Sequence, residues 1–229
     1  MADVALVVIS VRGEAEQIVA PDVAVLHCQI RAVAGTKQDA LRAAAAAQHA
    51  LERDLADLGA VRLTADAGKP PLAWLTRSTG SEPEYGERGP TGLIAGVVTV
   101  VIHVRDFARL DELEPLLARH EDLHAHGASW YVDADNPAWP QVRAAAIHAA
   151  LGRGRDYAAA LGGTLLRVEH VADAGLLGDT NAQSLGAVQL SAMAAAAGGE
   201  PETPSLDPVP QTLHAVIDAR LVASVPPLG

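Results

Sequence analysis

The residues with the greatest capacity for chemistry form the stretch HEDLHAH at positions 120–126. Its imidazole and carboxylate side chains are ligands that zinc and nickel accept. His120, Glu121 and His124 also satisfy the HExxH pattern of metalloproteases, which functions only inside a regular helix with a third ligand downstream. Because Gly127 follows and a helix is predicted to end here, we expect solvated loop histidines. A metal site formed by His120, His124 and His126 is the alternative.

The other chemically active residues lack the partners that a catalytic site requires. Cys28 alternates with apolar residues, so we expect a buried thiol rather than a reactive one. The sequence GRGR at 152–155 lacks the preceding strand and the spacing of a phosphate-binding loop, which favours a frayed or kinked helix with exposed arginines. We therefore predict no catalytic residue and no cofactor, and hence a protein that is not an enzyme.

The three tryptophans offer a second kind of site. Trp74, Trp130 and Trp139 are expected to pack in the core or at an interface, where their large rings contribute most. An alternative makes Trp74, together with a predicted loop at 79–91, the wall of a pocket for a small molecule.

Composition restricts the classes of partner and the compartment. The chain carries 28 acidic and 17 basic residues, giving a formal net charge of −11. Such a chain repels nucleic acids and anionic membranes, and no basic stripe compensates. The only cysteine, Cys28, excludes an intramolecular disulfide bond. The opening MADVALVVISVRGE shows no basic leader and its apolar run is too short to span a bilayer, which indicates a cytoplasmic protein.

The elements that must position these residues begin with two strand patterns, at 4–19 and 23–32. In the second, apolar residues occupy the even positions, which indicates a sheet with one buried and one wetter face. Pro21 and Asp22 separate the two patterns, and we predict a hairpin with this pair at its corner. Thr36 and Asp39 then resemble a capping box. They open a helix with a leucine stripe that ends at Gly59 and is expected to dock on the hairpin.

Further elements follow in the remaining sequence. Helices are predicted from Asp106 to Arg119, with a kink or restart at Pro115, and from Asn136 to Leu161. Strands are predicted at 61–78 with an interruption at 68–71, and at 93–104, 128–133, 165–172 and 213–223. This order, ββαββαβαββ, predicts an α+β fold with a mostly antiparallel sheet and helices packed on one face. We expect one domain spanning 1–229, with an Ala/Gly/Pro-rich insertion at about 173–210.

Four segments in this order resemble the SIMPL-domain family, a family of unknown function. They are the opening strand ISVRGEAEQIVAPDVAVL at 9–26, the helix end LADLGA at 55–60, the strand and turn VTVVIHVRDFARLDEL at 98–113, and the helix end YAAALGG at 157–163. The resemblance covers about 4–174 and 211–223. The chain departs from the family pattern at Ala15, where the family has a second glycine, and at Gly152-Arg153-Gly154, where it has an alanine-rich helix.

The resemblance implies an α+β scaffold, assembly into oligomers in some relatives, and roles in stress or envelope biology or as a signalling adaptor. It implies no catalytic motif. Our leading hypothesis is a non-enzymatic oligomeric scaffold or binding protein that forms a homo-oligomer and has the capacity to bind a protein partner. The alternatives are a metal-binding protein or metal-dependent enzyme that uses His120, His124 and His126, and a small-molecule-binding module.

Overall fold

A computed structural model describes residues 5–86, 89–176 and 207–227. Its helices and strands follow one another in this order: β1 (Ala5–Val19), β2 (Val23–Ala34), α1 (Lys37–Asp57), β3 (Val61–Arg62), β4 (Leu72–Gly86), β5 (Gly89–Val104), a 3₁₀ turn (Phe107–Arg109), α2 (Leu110–Ala118), β6 (Leu123–Tyr131), α3 (Ala138–Ala160), β7 (Thr164–Asp173) and β8 (Gln211–Val225). The strands form two sheets, and all strand pairs except β3–β4 are antiparallel. The predicted α+β class with mostly antiparallel pairing is confirmed.

The chain divides into two units with separate cores, and each is described by itself. In the first unit, a three-stranded sheet has the order β1-β8-β7, and α3 covers one of its faces. Alternate residues of β8 point to this helix and are buried, as the sequence pattern predicted: Leu213, Ala215, Ile217, Ala219 and Leu221. Pro137 is the N-cap residue of α3, and Asn136 before it accepts a hydrogen bond from the Ala138 backbone N–H at 2.9 Å.

Two glycines allow α3 to lie very close to its sheet. A Cβ atom on Gly13 of β1 would collide with the backbone carbonyl oxygen of Ala146 and would lie 2.8 Å from the nitrogen of Ala150. Gly154, within the helix, is buried against Leu221 of β8. The helix runs without a break through Gly152 and Gly154, so the predicted fraying is wrong, whereas Arg153 and Arg155 are exposed as predicted. Because Gly154 has no side chain, α3 packs directly against Leu221 of β8 at this position.

In the second unit, a five-stranded sheet has the order β3-β4-β5-β2-β6, and α1 packs against β2 and β5. Thr36 caps α1 as predicted, because its hydroxyl oxygen accepts a hydrogen bond from the Asp39 backbone N–H at 3.2 Å. Leu51 and Leu55 are fully buried against the sheet. The even positions of β2 also lie in this core, as the alternation predicted: Ala24, Leu26, Cys28, Ile30 and Ala32.

The predicted hairpin of β1 and β2 is wrong. Strand β1 pairs with β8 along its whole length, from Ala5 opposite Val225 to Val19 opposite Gln211, whereas β2 pairs with β5 and β6. The helix α1 therefore docks on β2 and β5 rather than on a hairpin. Alternation specifies which face of a strand is buried but does not specify its partner.

Pro21 and Asp22 accordingly join strands of different sheets. The Asp22 backbone N–H donates to the Tyr131 carbonyl at 2.8 Å, and the Asp22 carboxylate accepts from the Asp133 backbone N–H at 2.8 Å. This short segment is therefore pinned to the end of β6 by both its backbone and its side chain.

Three other boundaries differ from the predictions. The interruption predicted within 61–78 is confirmed but is longer than expected, since β3 ends at Arg62 and β4 begins at Leu72. The predicted loop at 79–91 is part of two long strands, since β4 and β5 stay paired as far as Gly86 opposite Gly89. Strand β6 begins at Leu123, so its first residues belong to the histidine-rich stretch. The observed order is thus ββαβββαβαββ, and pairing with a long neighbour overrides the weak strand propensity of glycine, proline and glutamate.

The helix predicted to open at Asp106 consists of two parts. The 3₁₀ turn comes first, and α2 then continues through Pro115 with Asp111 in its first turn. Of the insertion predicted at about 173–210, residues 177–206 lie outside the described residues.

Cys28 is completely buried in the core of the second unit, as predicted. Burial raises the pKa of its thiol from 9.0 to about 12, because the interior disfavours the thiolate. The side chain is therefore a protonated core residue at neutral pH.

We predict that Gly13→Ala destabilises the first unit by about 3 kcal/mol, because a methyl group there must displace the α3 backbone. Gly152→Ala is the matched control, since a Cβ at Gly152 meets nothing within 4 Å. We expect this control to gain up to about 1 kcal/mol from lower backbone entropy in the unfolded state. Urea unfolding measures both, and equal effects of the two substitutions would contradict the packing argument.

We also predict that Cys28 makes stability fall at high pH. Between pH 9.0 and about 12 the unfolded thiol has lost its proton and the folded one has not. Each pH unit in that window therefore removes up to about 1.4 kcal/mol of folding free energy, and nothing is lost below it. The measurement is the free energy of unfolding of wild type and of Cys28→Ala, from about pH 8 to about pH 10.5. The difference between the two proteins removes the contribution of all other titrating groups, which they share. Parallel stability curves for the two proteins would show that the thiol titrates normally.

Candidate functional site

The histidine-rich stretch HEDLHAH crosses from a turn into a strand. Helix α2 ends at Ala118, and His120 lies in the turn that follows, with its Nε2 3.1 Å from the Asp54 carboxylate of α1. His124 and His126 lie on β6, opposite Gln29 and His27 of β2. The expectation of loop histidines is thus wrong for His124 and His126. The helix that the HExxH pattern requires is also absent from this stretch.

The three predicted metal ligands are not brought together. His120 bonds to α1 on the covered side of the five-stranded sheet, whereas His124 and His126 occupy strand positions that point away from α1. Within the described residues, no group of three or more His, Cys, Asp or Glu side chains is placed to hold a metal ion. The spacing of the histidines in the sequence did not predict their separation, because it does not show where β6 begins. Leu123, the first residue of β6, lies between His120 and the other two histidines.

The tryptophans belong to packing contacts. Trp74 is buried in the core under α1, and the guanidinium of Arg62 lies 5.6 Å from its ring centre. Trp130 packs edge to face on Phe107, with ring centres 5.2 Å apart. The proposed pocket wall of Trp74 and a loop at 79–91 is therefore wrong, because the ring points into the core and the loop is a pair of strands.

The open face of the five-stranded sheet, opposite α1, holds a shallow depression of about 410 Å³, which we call the open-face groove. Its floor is apolar and consists of Val25, Leu75 and Val101, of which Val25 and Val101 are buried. Its polar lining comes from four strands: His27, Arg77, His103 and Tyr131. A floor of this kind with a few polar groups around it is the usual form of a small-ligand site.

Cross-strand register explains how these residues meet. His27 of β2 lies opposite Val101 of β5, which in turn lies opposite Leu75 of β4. Two pairs further along, and so on the same face, His103 lies opposite Val25. Because neighbouring positions in register point to the same face, the groove is a direct product of the odd positions of β2 and β5.

Arg77 is the one permanently charged side chain among the described residues that line the groove. The pKa of His103 lies below its ordinary value, chiefly because of burial and then because Arg105 and His27 are close. Its imidazole is therefore neutral at pH 7, able to donate one hydrogen bond and accept another. Among the described residues that line the groove there is no carboxylate, although the chain as a whole is strongly acidic.

An ion-pair cluster lies at one end of the same sheet. Asp133 accepts two hydrogen bonds from Arg105, at 2.6 and 3.1 Å, and lies 2.9 Å from Lys69. These partners lower the pKa of the Asp133 carboxyl, with the Arg105 hydrogen bond as the largest cause. The cluster fixes the chain after β6 next to Asp22 and so holds the end of the sheet in place.

Sequence reasoning identified part of the groove without recognising it as a site. Alternation places the odd positions of 23–32, which include His27, on the wetter face of the strand, and this placement of His27 is confirmed. The sequence did not predict Arg77 and His103 as site residues, because these two side chains come close only through the pairing of β4 with β5.

Arg77 in particular is the inserted residue of a bulge. Thr76 lies opposite Val100 and Ser78 lies opposite Thr99, which leaves Arg77 without an opposing residue. The period-two pattern cannot predict such an insertion.

No helix in the described parts of the chain is long and apolar enough to cross a bilayer.

Comparison with known proteins extends the resemblance seen in the sequence. The family model SIMPL, described as a protein of unknown function (DUF541), matches residues 9–221. A search of curated proteins gives no match. The matched range begins within β1 and ends within β8. It therefore includes strands and helices of both units. The chain therefore belongs to the SIMPL family.

Proposed function

We propose that this protein is a non-enzymatic oligomeric binding scaffold that assembles with a second copy of itself through β1, an edge strand of the described three-stranded sheet. The observation that carries the proposal is that β1 is a long edge strand with exposed apolar side chains. It has 15 residues and, among the described residues, pairs only with β8. Its outward positions include Leu6, Val8 and Ile18, with exposed fractions of 62%, 54% and 73%. A long edge strand with apolar residues is a natural template for pairing with another strand.

The regularity of β1 favours it over the opposite edge of the same sheet. Its pairing with β8 runs through 15 consecutive residue pairs without a register shift. Strand β7, at the other edge, has shifts between Leu165 and Arg167 and between Val168 and His170. Such irregularities discourage further pairing, because they interrupt the row of backbone donors and acceptors.

The side chains of β1 fit an antiparallel pairing with its own copy. If a two-fold axis passes through Gly13, Arg12 of each chain lies opposite Glu14 of the other. The same register places Val8 opposite Ile18 and Ser10 opposite Glu16. Opposite charges and apolar pairs across strands each contribute roughly 0.2–1 kcal/mol, and two-fold symmetry doubles every pair.

Arg12 is already oriented for such a contact. Its Nε donates to the Asp218 carboxylate at 2.9 Å, and half of its side chain remains exposed. This pair lowers the pKa of Asp218, with the Arg12 hydrogen bond as the largest cause. The guanidinium is thus held on the outer face of the sheet without being enclosed.

We predict that Glu14→Arg weakens self-association about tenfold, since it places two pairs of arginines opposite each other in the dimer. The matched control is Glu16→Arg, which changes the net charge equally but lies opposite Ser10 in the same register. Multi-angle light scattering over a range of protein concentrations gives both dissociation constants. A monomeric wild type, or equal weakening by the two substitutions, would overturn the proposed interface.

A further inference from the structure

We propose that the open-face groove binds a small organic anion, namely a carboxylate attached to an apolar body. The proposal concerns the second unit alone and is independent of assembly through β1. It assigns the carboxylate to Arg77 and His27, and the apolar body to the floor of Val25, Leu75 and Val101.

Arg77 supplies the main attraction. It is exposed on the groove side of β4, and no carboxylate among the described residues pairs with it. By contrast, Arg31 on the same face is held by Glu84 and lies 3.8 Å from Glu82. A guanidinium forms two parallel hydrogen bonds to a carboxylate, which makes it the most selective protein group for this anion.

Two irregularities in the sheet lie beside the same row of residues. The bulge that contains Arg77 directly follows Thr76, next to Leu75. A second register shift occurs in β6, where Ala128 lies opposite Leu26 and His126 lies opposite His27. Bulges redirect side chains and are over-represented next to binding sites, so their coincidence on both sides of His27 and Val101 supports a built site.

The apolar floor determines the kind of anion. Val25 and Val101 form, with Val23, a small buried cluster against which Leu75 packs. An ion without an apolar part would leave this surface in water. A ligand that covers it gains binding free energy from the apolar surface removed from water, in addition to the charge interaction. A volume of about 410 Å³ is within the range of sites for small organic molecules.

Two other kinds of ligand, a metal ion and a nucleic acid, fit the groove less well than a small organic anion. A metal ion needs three close ligands, and the described residues contain no such group. A nucleic acid would be repelled by a chain with a net charge of −11. A groove that contains the Arg77 guanidinium in an acidic protein instead selects small anions that do not have to approach the rest of the surface.

Isothermal titration calorimetry with 4-phenylbutanoate tests the proposal on the full chain. The uncharged 4-phenylbutanol, the cation 4-phenylbutylamine, and acetate are titrated in parallel. We expect 4-phenylbutanoate to bind at least tenfold more tightly than any of these. Arg77→Gln should raise its dissociation constant about tenfold, which is the usual value of a charge-assisted pair.

Arg53→Gln is the matched control, because it removes the same charge from an exposed position on α1, on the covered side of the sheet. It should leave the dissociation constant unchanged. Circular dichroism melting of both variants verifies that they are folded. Absence of binding, equal binding of the amine, binding of acetate as strong as that of 4-phenylbutanoate, or equal effects of the two substitutions would each overturn the proposal.

Discussion

The constraint on which the rest of the structure depends is that a helix covers one face of each sheet. In the five-stranded sheet, α1 covers the face that contains the even positions of β2 and leaves the odd positions of β2 and β5 on the other side. A one-residue shift would exchange the two faces, exposing Ile30 and burying Arg31. The same alternation therefore builds the core and displays His27 and His103. In the three-stranded sheet, α3 has the corresponding role, and its contact requires Gly13.

The residues that carry the family resemblance have structural tasks. Gly13 removes a side chain where α3 crosses β1, and Ala15 lies two positions further on the same helix-covered face. Asp22 fixes the passage between the sheets through its bond to the Asp133 backbone. Arg105, the residue that follows β5, holds the Asp133 carboxylate. These are fold determinants, which agrees with the proposal that function lies on the surfaces that the motif leaves free.

Local features of the structure could be predicted from the sequence, and long-range features could not. The cap at Thr36 and the buried side of β2 depend on residues within a few positions of each other, and both predictions are confirmed. The pairing of β1 depends on β8, about two hundred residues away, so no local signal could separate it from a hairpin with β2. The candidate site was missed for the same reason, since Arg77 reaches the groove only through a bulge defined by its partner strand.

The most direct test of this account is the tolerance of β2 to lysine at successive positions. The account predicts that lysine at Leu26 or Cys28 prevents folding, because each side chain is enclosed under α1. Lysine at His27 or Gln29 should leave the thermal midpoint within about 5 °C of wild type, since these side chains lie on the open face. Thermal unfolding of the four variants, followed by circular dichroism, gives the answer. Equal losses at the odd and even positions would contradict the assignment of the even positions to the core and of the odd positions to the open face.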